Sequence, residues 1–163
     1  MRLLFLFIFV TIQHVTFAQN LPEWAQQKFQ EQSSFLNISD SLTPRFLEAD
    51  FDGDGNEDIV ITVKNKEKGN KIGLIFYLRS GNQHIVGAGD PFGAGGSDFK
   101  WADKWTIFTN EKTYQTTYNS NGDIQGTEQI LLKNPAVHIQ TEDGIGGLIY
   151  FDGEQFIWIQ HGD

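Results

Sequence analysis

No cysteine occurs anywhere in the sequence. That absence excludes a disulfide framework, which an exported chain would otherwise be free to build. It also excludes a lipid attached through cysteine, so the chain does not read as a lipoprotein. The fold must be held by packing alone. Cations are scarce too: 12 Lys and Arg stand against 21 Asp and Glu, for a formal net charge of −9. A surface of that sign is repelled by nucleic acid and by anionic membranes. The one lysine cluster, Lys64-Asn65-Lys66-Glu67-Lys68, reads as a solvated turn.

Catalytic signatures are equally sparse. His84, His138 and His161 show no H-x₃-H or H-E-x-x-H spacing and read as surface or turn residues. No G-x-S-x-G elbow is present for a serine nucleophile. The glycine-rich segment Gly87–Ser97 lacks the Lys-Ser/Thr ending of a phosphate cradle. No internal repeat is visible. The longest apolar run, Leu3–Val10, is interrupted by Gln13 and His14 well before the roughly 20 residues a spanning helix needs. With Arg2 ahead of it and Thr16-Phe17-Ala18 behind it, the run reads as a signal peptide over residues 1–18, cleaved before Gln19. The expected product is periplasmic or secreted, inserts in no membrane, and forms a single domain over residues 19–163.

What remains is rich in strand signals. Residues 21–32 carry the one good helical pattern, with Leu21, Trp24, Ala25 and Phe29 on one stripe and Pro22 in the first turn. Phe35, Leu36, Ile38 and Leu42 read as an irregular packed segment closed by Pro44. From Phe46 onward, ten short runs rich in β-branched and aromatic residues follow: 46–49, 59–64, 72–78, 83–86, 105–108, 114–118, 128–132, 137–140, 148–151 and 156–160. Turn signals separate them, the strongest being Asp152-Gly153, which suits a two-residue type I′ hairpin. The pattern predicts a mainly β (α+β) fold: an antiparallel meander or curled sheet, at most a partial barrel, with the helix packed on it.

The stretch Asp50-Phe51-Asp52-Gly53-Asp54-Gly55-Asn56-Glu57-Asp58 carries the chemistry. Carboxylates at alternate positions converge only if the chain curls around a point, and Gly55 permits the sharp turn that curling needs. Asp50, Asp52, Asp54, the backbone carbonyl of Asn56 and Asp58 then form an all-oxygen set of the kind Ca²⁺ takes. Glu57 points away into solvent. The alternative is a tight Asp/Gly turn that holds no ion. Each like-charged pair at ~5–6 Å would then cost about 1 kcal/mol even at near-water dielectric. An EF-hand is excluded, because the position of its bidentate glutamate is Ile61, inside an apolar run.

Written D-x-D-x-D-G-x-x-D, the loop resembles the calcium loops of FG-GAP and VCBS repeats, the modules of integrin-type β-propellers. The resemblance spans Phe46 to Val63 and implies a structural calcium ion held by Asp50, Asp52, Asp54, Asn56 (backbone) and Asp58. A propeller repeats this unit several times and this chain has it once, so a full propeller is not implied. The whole chain is similar to single-copy secreted proteins of Bacteroidetes-type bacteria. There, a strand–DxDGDG–strand hairpin accompanies a C-terminal aromatic hairpin such as Gly147–Gly153.

Trp101, Asp103 and Trp105 would share one face if residues 101–105 are extended, giving an aromatic patch for a glycan or peptide. The plainer reading is two tryptophans closing the core beneath the glycine loop. The expected function is a non-enzymatic binding module stiffened by Ca²⁺. Its protein or glycan partner would meet the Gly87–Trp105 surface or the C-terminal hairpin. The alternatives are a small secreted glycan hydrolase using Asp/Glu residues outside the loop, and a purely structural envelope protein.

Overall fold

The computed structural model of the chain describes residues 20–161; the expected signal peptide, residues 1–18, lies outside the described residues. Helix α1 spans Glu23–Gln32. Pro22 has a ψ of 145° and therefore caps the helix from outside, a correction to its expected place in the first turn. Its carbonyl accepts hydrogen bonds from the Ala25 and Gln26 amides, both at 3.0 Å, and Glu23 complements the positive end of the helix dipole.

Strands β1 (Leu36–Ile38), β2 (Phe46–Ala49), β3 (Asp58–Asn65), β4 (Lys71–Tyr77) and β5 (Gln83–Gly87) form one antiparallel sheet. The segment expected to be irregular contains β1. Its three residues are too few to display a period of two, yet β3 needs it. β2 covers one edge of β3 from Asp58 to Ile61, and β1 covers the same edge from Val63 to Asn65. Thr62 bridges the gap, donating its hydroxyl to Ser39 O at 2.7 Å and accepting from the Ser39 amide at 2.8 Å.

The second sheet runs β11 (Phe156–His161), β10 (Gly146–Phe151), β9 (Ala136–Gln140), β6 (Lys104–Phe108). Between β6 and β9 the chain makes a separate two-stranded hairpin, β7 (Lys112–Tyr118) with β8 (Ile124–Leu131). The curled sheet thus resolves into two packed sheets, with no closed barrel among the described residues. At Asp152-Gly153 the connection has four residues, because Phe151 pairs with Phe156. The Asp152 carboxylate accepts from the amides of Glu154 and Gln155 at 2.8 and 2.9 Å, which favours the wider turn over the two-residue one.

Alternation assigns the faces. Val60, Leu74, Phe76 and Val86 meet Trp105, Val137, Ile139, Ile149, Phe151 and Phe156 between the sheets. Ile59, Ile61, Val63, Ile75 and Tyr77 point the other way, beneath Trp24, Ala25 and Phe29 of α1. β3 and β4 are covered on both faces, which is why their sequences are near-continuously apolar. On the far side of the second sheet, Leu148, Tyr150 and Ile159 are covered by Leu132 and Ile130. Phe76 and Phe156 stack at 3.8 Å across the inter-sheet layer. Phe76→Ala should lower the unfolding free energy by about 3–5 kcal/mol. Tyr114→Ser, on a residue 57% exposed, should change it by no more than about 0.5 kcal/mol. Urea denaturation of the two variants checks both.

Candidate metal centre

Because Ala49 pairs with Asp58, the loop from Asp50 to Glu57 leaves and re-enters the sheet at adjacent points. Phe51 anchors it: the ring is fully buried and meets Phe76 edge-on at 5.4 Å. Gly53 and Gly55 have φ of 76° and 88°, the left-handed region that glycine alone adopts without strain. At Gly53 a side chain would also meet Asn134 Oδ1 at 2.5 Å.

The carboxylates turn inward. Asp58 is fully buried. Its Oδ2 accepts from the amides of Phe51 at 2.8 Å and Asp52 at 3.3 Å, and its Oδ1 accepts from the Arg79 amide at 2.8 Å. Burial raises its pKa above the ordinary carboxylate value; the Arg79 and Phe51 amides oppose that rise, and the Asp52 charge adds to it. Asp52 accepts from the Asp54 amide at 3.2 Å and from the Ser80 hydroxyl at 3.1 Å. Asp50 Oδ2 accepts from the Gly55 amide at 2.9 Å, whereas Asp50 Oδ1 is buried without a partner.

Of the five expected ligand residues, Asp50, Asp52 and Asp58 are brought together, each offering an oxygen within 4.8 Å of the others. Asp54 stands outside that group: its Oδ1 accepts from the Asn56 amide at 2.8 Å and from Asn56 Nδ2 at 3.1 Å. Glu57 is exposed, as its position in the loop implied. Arg79, Ser80 and Asn134 complete the surroundings and were not legible beforehand. Asn134 Nδ2 donates to Phe51 O at 3.1 Å and to Phe151 O at 3.5 Å, tying the loop to the second sheet. Nothing in the spacing of these residues signals a contact made across 83 positions.

The expected tryptophan face does not form. Residues Phe99–Trp101 make a 3-10 turn, so the segment is not extended. Trp105 is 2% exposed and donates its indole N–H to Pro44 O at 2.8 Å. Asp103 is exposed, its carboxylate accepting from the Glu142 amide. Trp101 instead pairs with Trp158 of the C-terminal hairpin, ring to ring at 6.2 Å. The two segments proposed as separate surfaces therefore adjoin. They line an open cavity of about 250 Å³ between the 3-10 turn Gly93–Gly95 and the start of β10.

The histidines lie in strands, not in turns. His84 packs edge-on against Phe151 and Phe156. His138 faces His161 at 5.0 Å, and His161 Nδ1 lies 2.9 Å from the Thr113 hydroxyl. Burial lowers the pKa of His84 and His138, with His161 adding to the effect on His138. Below the ordinary value of 6.5 the unfolded chain then binds protons that the folded chain refuses, so stability falls as pH drops through that window. Asp58, with its raised pKa, acts in the opposite sense. Melting temperature measured in chelator should fall between about pH 7.5 and pH 5.5, and replacing both His84 and His138 by Gln should flatten that slope. No helix among the described residues is long and apolar enough to cross a membrane. The chain matches no family model, no curated protein and no solved structure.

Proposed function

We propose that this chain is an exported, non-enzymatic binding module whose Asp50–Asp58 loop takes a calcium ion that stiffens one end of the sandwich. One observation carries the metal reading. Asp50 Oδ1 is buried and unpartnered, on a residue whose carboxylate reaches within 4.8 Å of those of Asp52 and Asp58. A buried carboxylate oxygen with no donor is costly, and a divalent cation offsets that cost. The donor atoms are all oxygen, which suits a hard cation of flexible coordination. Asp54 and the Asn56 carbonyl remain part of the proposed set. Met elsewhere by hydrogen bonds from the loop's own amides, the carboxylates are only partly compensated without an ion.

The binding reading rests on the cavity between Trp101 and Trp158. A glycan hydrolase would need two carboxylates flanking a cleft. The cavity is lined instead by aromatic, aliphatic and amide side chains.

Extracellular calcium modules bind at about 10⁻⁴–10⁻³ M. Calcium at ~1 mM should therefore raise stability by about 0.4–1.4 kcal/mol, or the melting temperature by roughly 1–6 °C. Asp50→Asn combined with Asp52→Asn should remove that rise. Differential scanning calorimetry with calcium, magnesium or chelator decides. An equal rise in the double variant, or none in the parent chain, would falsify the metal assignment.

A further inference from the structure

The cavity beside Trp158 has features that closing a core does not require. Three glycines hold the Trp158 ring. A side chain on Gly93 would meet Trp158 Cβ at 2.6 Å, one on Gly95 would meet Cζ3 at 2.7 Å, and one on Gly147 would collide with the ring. The indole packs closely against β10 and the 3-10 turn. Phe92 and Trp101 brace it edge-on at 6.4 and 6.2 Å. Even so, neither Trp158 nor Trp101 is fully buried. Ile145 stands at the rim, 53% exposed. A braced aromatic wall left open to solvent is what a preorganised site looks like, since ordering a packed ring on binding costs little.

The wall also states what it would hold. Trp101 Nε1 donates to Gly95 O at 3.0 Å, Trp158 Nε1 to Gln160 Oε1 at 3.1 Å, and Gln160 Nε2 to Gly146 O at 3.0 Å. Both indole donors are spent inside the protein. No charged side chain lines the cavity, and the chain as a whole carries −9. A sugar, which needs directed donors and acceptors, finds few here, and an anion finds only repulsion. The volume of about 250 Å³ falls below the roughly 300–1,000 Å³ of sites that engulf a free small molecule. It suits one bulky side chain whose backbone stays outside, the arrangement of an anchor residue at a protein interface.

We infer that the Trp101–Trp158 cavity is a docking site for one uncharged, bulky apolar side chain presented by a partner polypeptide. This rests on the binding-module reading above and gives that module its recognition chemistry. The probe is N-acetyl-phenylalaninamide, titrated into the ¹⁵N-labelled protein, with methyl β-glucoside titrated in parallel. The amide should shift the indole N–H signals of Trp101 and Trp158 saturably in the millimolar range, leaving Trp24 and Trp105 unmoved. Ala94→Leu, at an exposed position on the wall, should abolish the saturation by filling the mouth. Ile145→Ser should weaken binding by about fivefold, the effect of losing roughly 1 kcal/mol of apolar contact. Absence of saturation, equal shifts from the glucoside, or indifference to Ala94→Leu would each overturn the inference. The calcium response is read on the same samples. A silent probe with that response intact removes the cavity assignment alone, and a saturating probe without it removes only the metal.

Discussion

The fold turns on one buried carboxylate. Asp58 opens β3 with no exposure to solvent, and its two oxygens accept three backbone amides from two other segments. Phe51 and Asp52 bring the Asp50–Glu57 loop to it, and Arg79 brings the end of β4. An ionised group in that position is tolerable only because both of its oxygens accept hydrogen bonds. Even so, burial outweighs the donors and its pKa rises. The side chain therefore acts as a knot, fixing the loop mouth and the β4–β5 turn to the strand at the centre of the first sheet.

That arrangement changes how the spacing of acidic residues should be understood. Carboxylates at alternate positions were read as converging ligands. In the structure they also serve as hydrogen-bond acceptors for amides two to seven residues away: Asp52 for Asp54, Asp54 for Asn56, Asp50 for Gly55, Asp58 for Phe51. The same curl satisfies both roles, because a loop whose amides point inward at carboxylates has already gathered them. An ion bound there would have to compete with these amides for the oxygens. Asp50 Oδ1 is the one oxygen of the group that is buried and unpartnered.

Much of the architecture was legible because strands advertise themselves locally. All ten expected runs coincide with strands, two of them running one residue past the strand end at Leu78 and Leu132, since turn residues bound them and β-branched or aromatic residues fill them. β1 escaped because three residues cannot show a period, and its reason for existing is the uncovered edge of β3, a tertiary demand. The loop Asp50–Asp58 was legible because its chemistry is written in consecutive residues. The aromatic site was not. Trp101 packs against Trp158, and the face expected with Trp105 fails because Phe99–Trp101 form a 3-10 turn and Trp105 is buried. His84 and His138 were read as surface or turn residues, and only the paired strands reveal that both sit against aromatic rings.

The loop and the cavity meet through β10. Phe151, at one end of that strand, gives its carbonyl to Asn134, which also holds Phe51 of the loop. Gly146 and Gly147, at the other end, lie under Gln160 and Trp158. The strand's six residues span about 17 Å of extended chain. Nothing in this geometry requires a signal to travel between them. Anchoring both ends of one strand has a simpler effect. Each end is held by a hydrogen bond from another segment, Asn134 at Phe151 and Gln160 at Gly146, so that the glycine-lined cavity sits on a strand tied at both ends. In a chain without cysteine, anchorage of this kind has to come from packing and hydrogen bonds alone.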